Sequence, residues 1–327
     1  MTVIRKFLAC ASVGLAAFGC VTSAHPVSIP FHKRDAHPCP LGSEELHHQH
    51  SRRQAGAPAL TDLDILQFAL TLEHLEAAFY EQGFKKFPPS EFLALGLAQA
   101  QIDGLVQIGR TEAAHVTALM AAIAGAGATP VSPCTYDFKF TDAKSMVATA
   151  KVLEAVGVSA YLGAAPLVTD KKILSAAASI VTIESRHQTF IRTALREDPV
   201  PQAFDAAIGA RQIFTLAASF ITSCPPGSAL PLQAFPSLNI VNAASVKSGS
   251  TLTLADTTAF PDGTTFCSFT AGETGTLFTP FSNGSCTVPP GLGGEVYVTI
   301  TSSNTALTDD KILAGYALNF SSLTDES

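Results

Sequence analysis

Residues 112–115 read Glu-Ala-Ala-His, and residues 184–187 read Glu-Ser-Arg-His. A Glu and a His three apart share one helix face, so both can enter a bundle core together and offer one cation a carboxylate oxygen and an imidazole nitrogen. Upstream of each pair a further helical stretch carries an inward-facing Glu. These are Glu73, in Leu72-Glu73-His74-Leu75, and Glu154, in Leu153-Glu154-Ala155-Val156. Four helices then present Glu, Glu-x-x-His, Glu, Glu-x-x-His in that order. A lone Glu-x-x-His is a weak signal: Glu44/His47 and Glu45/His48 also match, in a polar stretch with no apolar helical face. The ordered set of six is far more specific.

Apolar residues recur at helical spacing through residues 57–223, with Pro and Gly between the periodic stretches. This predicts a helical domain. The first helix is expected over Asp62–Glu81, with Thr61 as N-cap and a stop near Gly83. The second is expected from Ser90 to Ile123, the third from Thr141 to Pro166 and the fourth from Asp170 to Arg196. A fifth is expected over Gln202–Ile221. Composition changes at Cys224-Pro-Pro-Gly227. Short alternating runs follow, such as Thr251–Leu254 and Val296–Ile300, separated by turn signals at Pro261-Asp-Gly263 and Asn283-Gly284. Residues 235–322 therefore read as a small all-β sandwich of immunoglobulin-like architecture, and the whole chain as an α+β multidomain protein.

The chain has 327 residues, of which 47% are hydrophobic and 14% charged, enough for two cores. A net charge of -7 with no basic patch excludes a nucleic-acid binder. Residues 1–24 have the basic, apolar and small-residue regions of a secretory signal ending at Ala24, and no later segment is expected to span a membrane. Residues 25–53 are a leader rich in His, Pro and basic residues, with dibasic pairs ending at Arg34 and Arg53. They resemble processing sites, and an uncut disordered tail is the alternative. Without that leader four cysteines remain, and pairing by domain joins Cys134 to Cys224 and Cys267 to Cys286. Asn283-Gly-Ser and Asn319-Phe-Ser are glycosylation acceptors. These features together predict a secreted protein, extracellular or in the cell wall.

Several residues near the six have open roles. Glu76 is the alternative carboxylate on the first helix. Glu73 is preferred because Tyr80 follows it by seven positions, as Tyr161 follows Glu154. The repeat suggests an internal duplication. Tyr80 and Tyr161 read either as core aromatics or as hydrogen-bond partners of the ligands. His74 adjoins Glu73, so it points to another face. The metal-free alternative is a core of buried polar groups satisfying one another, which is costly for four carboxylates without a cation.

The six residues and their order resemble the ferritin-like superfamily of di-iron and di-manganese carboxylate proteins, over Thr61 to Arg196, about 40% of the chain. More narrowly, the run from Asp64 to Tyr80, Asp-Ile-Leu-Gln-Phe-Ala-Leu-Thr-Leu-Glu-His-Leu-Glu-Ala-Ala-Phe-Tyr, is similar to the secreted fungal ferritin-like proteins. That group is linked to stress and late sexual development and is similar to plant desiccation-related proteins. The resemblance implies a four-helix bundle holding two iron ions, or alternatively two manganese ions, about 3.5–4 Å apart. Glu112 and Glu184 would bridge them, Glu73 and Glu154 would be terminal ligands, and His115 and His187 would complete the shells. It implies ferroxidase or peroxide-consuming chemistry with oxygen or peroxide as partner. The other expectation is a non-catalytic extracellular stress protein with a degenerate or structural metal site, whose β domain binds cell wall or another protein.

Overall fold

In the computed structural model, residues 60–255, 260 and 263–320 are described. The expected signal, the leader and its processing positions Ala24, Arg34 and Arg53 lie outside them.

Four long helices build the first part. Helix α1 spans Asp62–Lys86, α3 Gln99–Gly125, α4 Ala143–Ala164 and α5 Lys171–Ala194, with a short α2 at Pro89–Ala94 and α6 at Ala210–Ala218. The capping chemistry is local. Thr61 and Asp64 form a reciprocal capping box at α1, Asp142 accepts from Ser145 N at α4, and Asp170 accepts from Lys172 N at α5. Asp62 does double duty: its carboxylate accepts from Thr169 N and Asp170 N at 2.8 and 2.7 Å, tying the start of α1 to the start of α5. Helix α1 packs on α3 and α4 on α5, and the two pairs close into a bundle.

Three helix bounds differ from the sequence expectation. Helix α1 runs through Gly83 to Lys86, because Gly83 lies against Met146 of α4, with no room for a Cβ. The expected second helix is two, α2 and α3, broken at Gly96 with φ of +84°. The expected fifth helix keeps only Ala210–Ala218: residues 202–209 form no helix, and Ile208 N donates instead to Ser159 O. The apolar segment Ala143–Leu167 is long and apolar enough by composition to cross a bilayer. However, 67% of its apolar window is buried within the protein, so its apolarity is that of a core helix.

The C-terminal part is a β-sheet region. Strands β4 (Phe266–Ala271), β5 (Gly275–Pro280), β7 (Gly294–Thr301) and β8 (Ile312–Phe320) form an antiparallel sheet in the order β5-β4-β7-β8. Strands β3 (Thr251–Thr253) and β6 (Ser285–Thr287) pair separately, and the Cys267–Cys286 disulfide joins β4 to β6. One apolar cluster, including Leu252, Phe269, Val288 and Val298, lies between them. The described residues thus give four strands and two, in place of the full immunoglobulin strand set. Asn283 (φ +51°) and Gly284 (φ +75°) make the tight turn before β6, and Ser282 and Ser285 exchange backbone hydrogen bonds across it. Asn283 is exposed there, while Asn319 pairs through its backbone with Glu295 in the sheet. The second disulfide, Cys134–Cys224, closes a small ribbon in which β1 (Thr135–Tyr136) pairs with β2 (Ile221–Ser223).

The sheet and the bundle meet through buried polar groups. Glu295 on β7 accepts from Gln188 Nε2 at 3.0 Å and from Arg192 Nη1 at 3.2 Å, both on α5. Arg192 is fully buried and also donates through Nε to Asp198 O. Tyr297, two residues along β7, donates to Ser159 Oγ on α4 at 2.8 Å. An ion pair of this kind is expensive to break from one side, because the remaining charge stays buried. Glu295→Ala is expected to lower the unfolding free energy by about 3–5 kcal/mol, read from urea denaturation, with a smaller loss for Glu295→Gln, which keeps an acceptor for Gln188.

Candidate metal centre

Each long helix brings one turn of its inward face to the middle of the bundle, and seven ionisable residues meet there. Glu73 and Glu76 come from α1, Glu112 and His115 from α3, Glu154 from α4, and Glu184 and His187 from α5. All seven are buried, and Glu112, Glu154 and Glu184 have no exposed surface. Two glycines let the helices come this close. At Gly157 a Cβ would stand 3.1 Å from Glu76 Oε1 and 3.2 Å from Glu184 Oε2. At Gly109 it would stand 2.7 Å from Tyr80 Cβ.

The donor atoms fall into two overlapping groups. Glu73, Glu112, His115 and Glu184 form one, and Glu112, Glu154, Glu184 and His187 the other; within each, the atoms lie within 4.8 Å of one another. Glu112 and Glu184 belong to both. Nδ1 of His115 lies 3.2 Å from Glu73 Oε2, 3.1 Å from Glu112 Oε2 and 3.1 Å from Glu184 Oε1. Nδ1 of His187 lies 2.8 Å from Glu112 Oε1, 3.0 Å from Glu154 Oε2 and 3.9 Å from Glu184 Oε2. The six residues expected from sequence are therefore brought together. Glu76 lies beside them and belongs to neither group.

The outer partners show a pattern that the sequence did not disclose. Tyr161 donates to Glu73 Oε1 at 2.6 Å, and Tyr80 donates to Glu154 Oε1. Each tyrosine serves the glutamate of the other helix, not the one seven residues before it. Burial first, and then the neighbouring carboxylates, push both phenols well above their ordinary range, so they remain donors. In each terminal glutamate one oxygen is held by a tyrosine and the other faces an imidazole.

Thr111, which sequence reading did not single out, fixes one imidazole. Its hydroxyl donates to Ile108 O at 2.7 Å and is hydrogen-bonded to His187 Nε2, 2.9 Å away. Nε2 is held there, and Nδ1 turns toward Glu112 and Glu154. The signal lay in its position, one residue before Glu112. His74, expected on another face, is buried outside the cluster with Nε2 3.1 Å from Val131 O.

These residues fit a pair of divalent cations. Both oxygens of Glu184 and Oε1 of Glu112 are buried without a hydrogen-bond partner among the described residues, a loss of about 1–3 kcal/mol per group if nothing else satisfies them. His187 Nδ1 is close to Glu112 Oε1 but lacks hydrogen-bond geometry to it. Neighbouring ligands of a six-coordinate ion with bonds of about 2.1 Å stand about 3 Å apart, close to the spacing of the imidazole and carboxylate atoms here. Two divalent ions would also balance the four shared and terminal carboxylates with both imidazoles neutral.

Electrostatics in the metal-free protein point the same way. Burial opposes the charge on Glu112, but the hydrogen bond from His115 and the nearby imidazole of His187 carry its carboxyl down to about 2. Burial raises Glu73 to about 7 and pushes Glu76 and Glu184 well above the usual carboxylate range, with neighbouring carboxylates adding to it. Burial works against the imidazolium forms, yet the carboxylates around them raise His115 to about 12 and His187 to about 9. A bound cation must therefore displace protons from both imidazoles. Since protons compete with the cation for those nitrogens, affinity for Mn(II) is expected to rise with pH between 6 and 8, by up to about tenfold per unit for each proton displaced. Calorimetry in buffers of different ionisation enthalpy checks both the slope and the proton release.

Residues 61–197 match the family described as the ferritin-like domain. Protein rds1 of Schizosaccharomyces pombe (strain 972 / ATCC 24843) is 26% identical over 183 residues, which are 55% of this chain and 44% of rds1. The chain thus spans less than half the length of that curated relative. With the bundle described above, residues 62–194 are a ferritin-like helical region, followed by a C-terminal β-sheet region.

Proposed function

We propose that this chain is a secreted ferritin-like protein that holds two metal ions in its bundle and carries out redox chemistry there, as a ferroxidase or a consumer of peroxide. The observation that carries the reading is the sharing of Glu112 and Glu184 between two four-residue groups, with three of their oxygens buried and unpartnered. Glu112 and Glu184 would bridge the ions, Glu73 with His115 would complete one shell, and Glu154 with His187 the other. When bound, two iron or manganese ions supply one-electron redox chemistry toward dioxygen or peroxide. Tyr161 and Tyr80 hold the outer oxygens of Glu73 and Glu154 and so orient their other oxygens inward. Thr111 holds His187 through Nε2. The two disulfides support an oxidising compartment, and with the sequence of residues 1–24 they support secretion.

One observation favours a second reading, a non-catalytic extracellular protein without a redox metal. His115 and His187 lie where two imidazoliums would offset two of the carboxylates, while burial pushes the carboxyls of Glu76 and Glu184 well above their usual range. Metal analysis separates the readings. The chain purified from a secretory host without chelators is expected to hold about two iron or manganese ions, and Glu112→Gln/Glu184→Gln is expected to lose them while remaining folded. Absence of metal from the wild type, with no uptake of Fe(II) or Mn(II) under anaerobic conditions, would establish the second reading.

A further inference from the structure

The two halves of the bundle repeat one another around the cluster. Tyr80 and Tyr161 stand seven residues after Glu73 and Glu154, and a Glu-x-x-His follows each glutamate on a later long helix. A strict repeat would make the two donor groups equivalent. The repeat breaks one residue before each Glu-x-x-His. Thr111 precedes Glu112 on α3, whereas Ile183 precedes Glu184 on α5.

That difference falls on the imidazoles. The Thr111 hydroxyl reaches across from α3 to α5 and is hydrogen-bonded to His187 Nε2 at 2.9 Å. Ile183 has no hydrogen-bonding side chain, and His115 Nε2 has no hydrogen-bond partner among the described residues. His187 is thus anchored through its outer nitrogen while Nδ1 faces Glu112 and Glu154. His115 is engaged through Nδ1 alone, by Glu73, Glu112 and Glu184. An outer partner fixes the ring of a metal-ligating histidine, and its loss costs about 10–100-fold in metal affinity.

The packing behind the two terminal glutamates differs in the same sense. Glu73, Glu76 and Tyr161 line a cavity of about 250 Å³. Alanines of α3 and α5, among them Ala122 and Ala176, form part of its wall, and side chains ending at Cβ leave the space unfilled. Glu154, its partner Tyr80 and His187 line neither this cavity nor the neighbouring one of about 280 Å³. Tyr80 is instead buried, edge-on to Phe79 with ring centroids 5.2 Å apart and stacked with Phe84 at 6.2 Å, and Gly109 closes on its Cβ. A ligand backed by close packing stays in one rotamer, while a ligand beside unfilled space has room to change rotamer.

We propose that the two ion positions are unequal: the position between Glu154 and His187 binds its ion more tightly and retains it, and the position between Glu73 and His115 exchanges its ion. Thr111 is the positioning residue of the retained site. This rests on the dinuclear reading given above.

The probe is Mn(II), titrated calorimetrically and anaerobically into the chelator-treated full chain. Repulsion between two cations would separate the binding steps even in a symmetric centre, so variants that lose one histidine carry the test. His115→Ala leaves the Glu154/His187 position, and His187→Ala leaves the other. The ion bound by His115→Ala is expected to be at least about tenfold tighter than the ion bound by His187→Ala. Adding Thr111→Val to His115→Ala is expected to weaken that ion about tenfold, and Thr111→Ser in its place is expected to restore it. Added to His187→Ala, Thr111→Val is expected to change the affinity by less than about twofold, because Thr111 does not touch His115. Circular dichroism of each variant establishes that it is folded. Equal affinities in the two histidine variants, the reverse order, or the same effect of Thr111→Val in both overturns the proposal. Where the wild type still holds two ions, each of these outcomes leaves the dinuclear reading in place. A wild type that takes up no Mn(II) removes the dinuclear reading and this proposal with it.

Discussion

Five glutamate side chains buried within one turn of each other are the constraint around which the bundle is arranged. Carboxylates in a low-dielectric core repel one another and lose their hydration, and no apolar packing repays that. The helices therefore supply compensation at every oxygen they can reach. Tyr161 and Tyr80 donate to the outer oxygens of Glu73 and Glu154, and His115 and His187 face the inner ones. The compensation stops short of Glu112 Oε1 and both oxygens of Glu184, which are buried without a hydrogen-bond partner among the described residues. An arrangement this costly in an otherwise apolar bundle is explicable as the binding site of cations, and the outer partners then serve to aim ligands.

The same centre dictates the small residues around it. Gly157 and Gly109 are where the helices must approach a glutamate or a tyrosine without a side chain between them. Further along the bundle, alanines continue the close approach but leave space, and the cavity beside Glu76 is the result. Close approach at the cluster and loose packing beyond it are thus two consequences of one choice of small residues on facing helices.

The β-sheet region is attached to the helix that carries the second Glu-x-x-His. Gln188 and Arg192 follow His187 on α5, and both donate to Glu295 of β7. Tyr297 of the same strand reaches Ser159 on α4, five residues after Glu154. The sheet therefore buttresses the two helices that contribute Glu154, Glu184 and His187, through hydrogen bonds and an ion pair that are buried on both sides.

How much of this was legible in the sequence depends on the range of the interaction. Helical periodicity, the caps at Thr61 and Asp170, the Asn283-Gly284 turn and the i, i+3 spacing of Glu112/His115 and Glu184/His187 are local, so residue order alone determined them. The two cysteine pairs followed from the four cysteines after residue 53, divided between two compositional regions. What only the tertiary structure decided are the contacts between helices distant in sequence. The tyrosines cross over, each to the other pair's glutamate, because packing α1 against α4 places Tyr80 beside Glu154 and Tyr161 beside Glu73. Thr111 gains its role from a histidine 76 residues away. Residues 202–209 form no helix, and Ile208 bonds instead to the backbone of Ser159 on α4. Glu73 and Glu76 share one helix face and one residue type. Only the position of the other three long helices separates the one that meets an imidazole from the one that joins neither donor group.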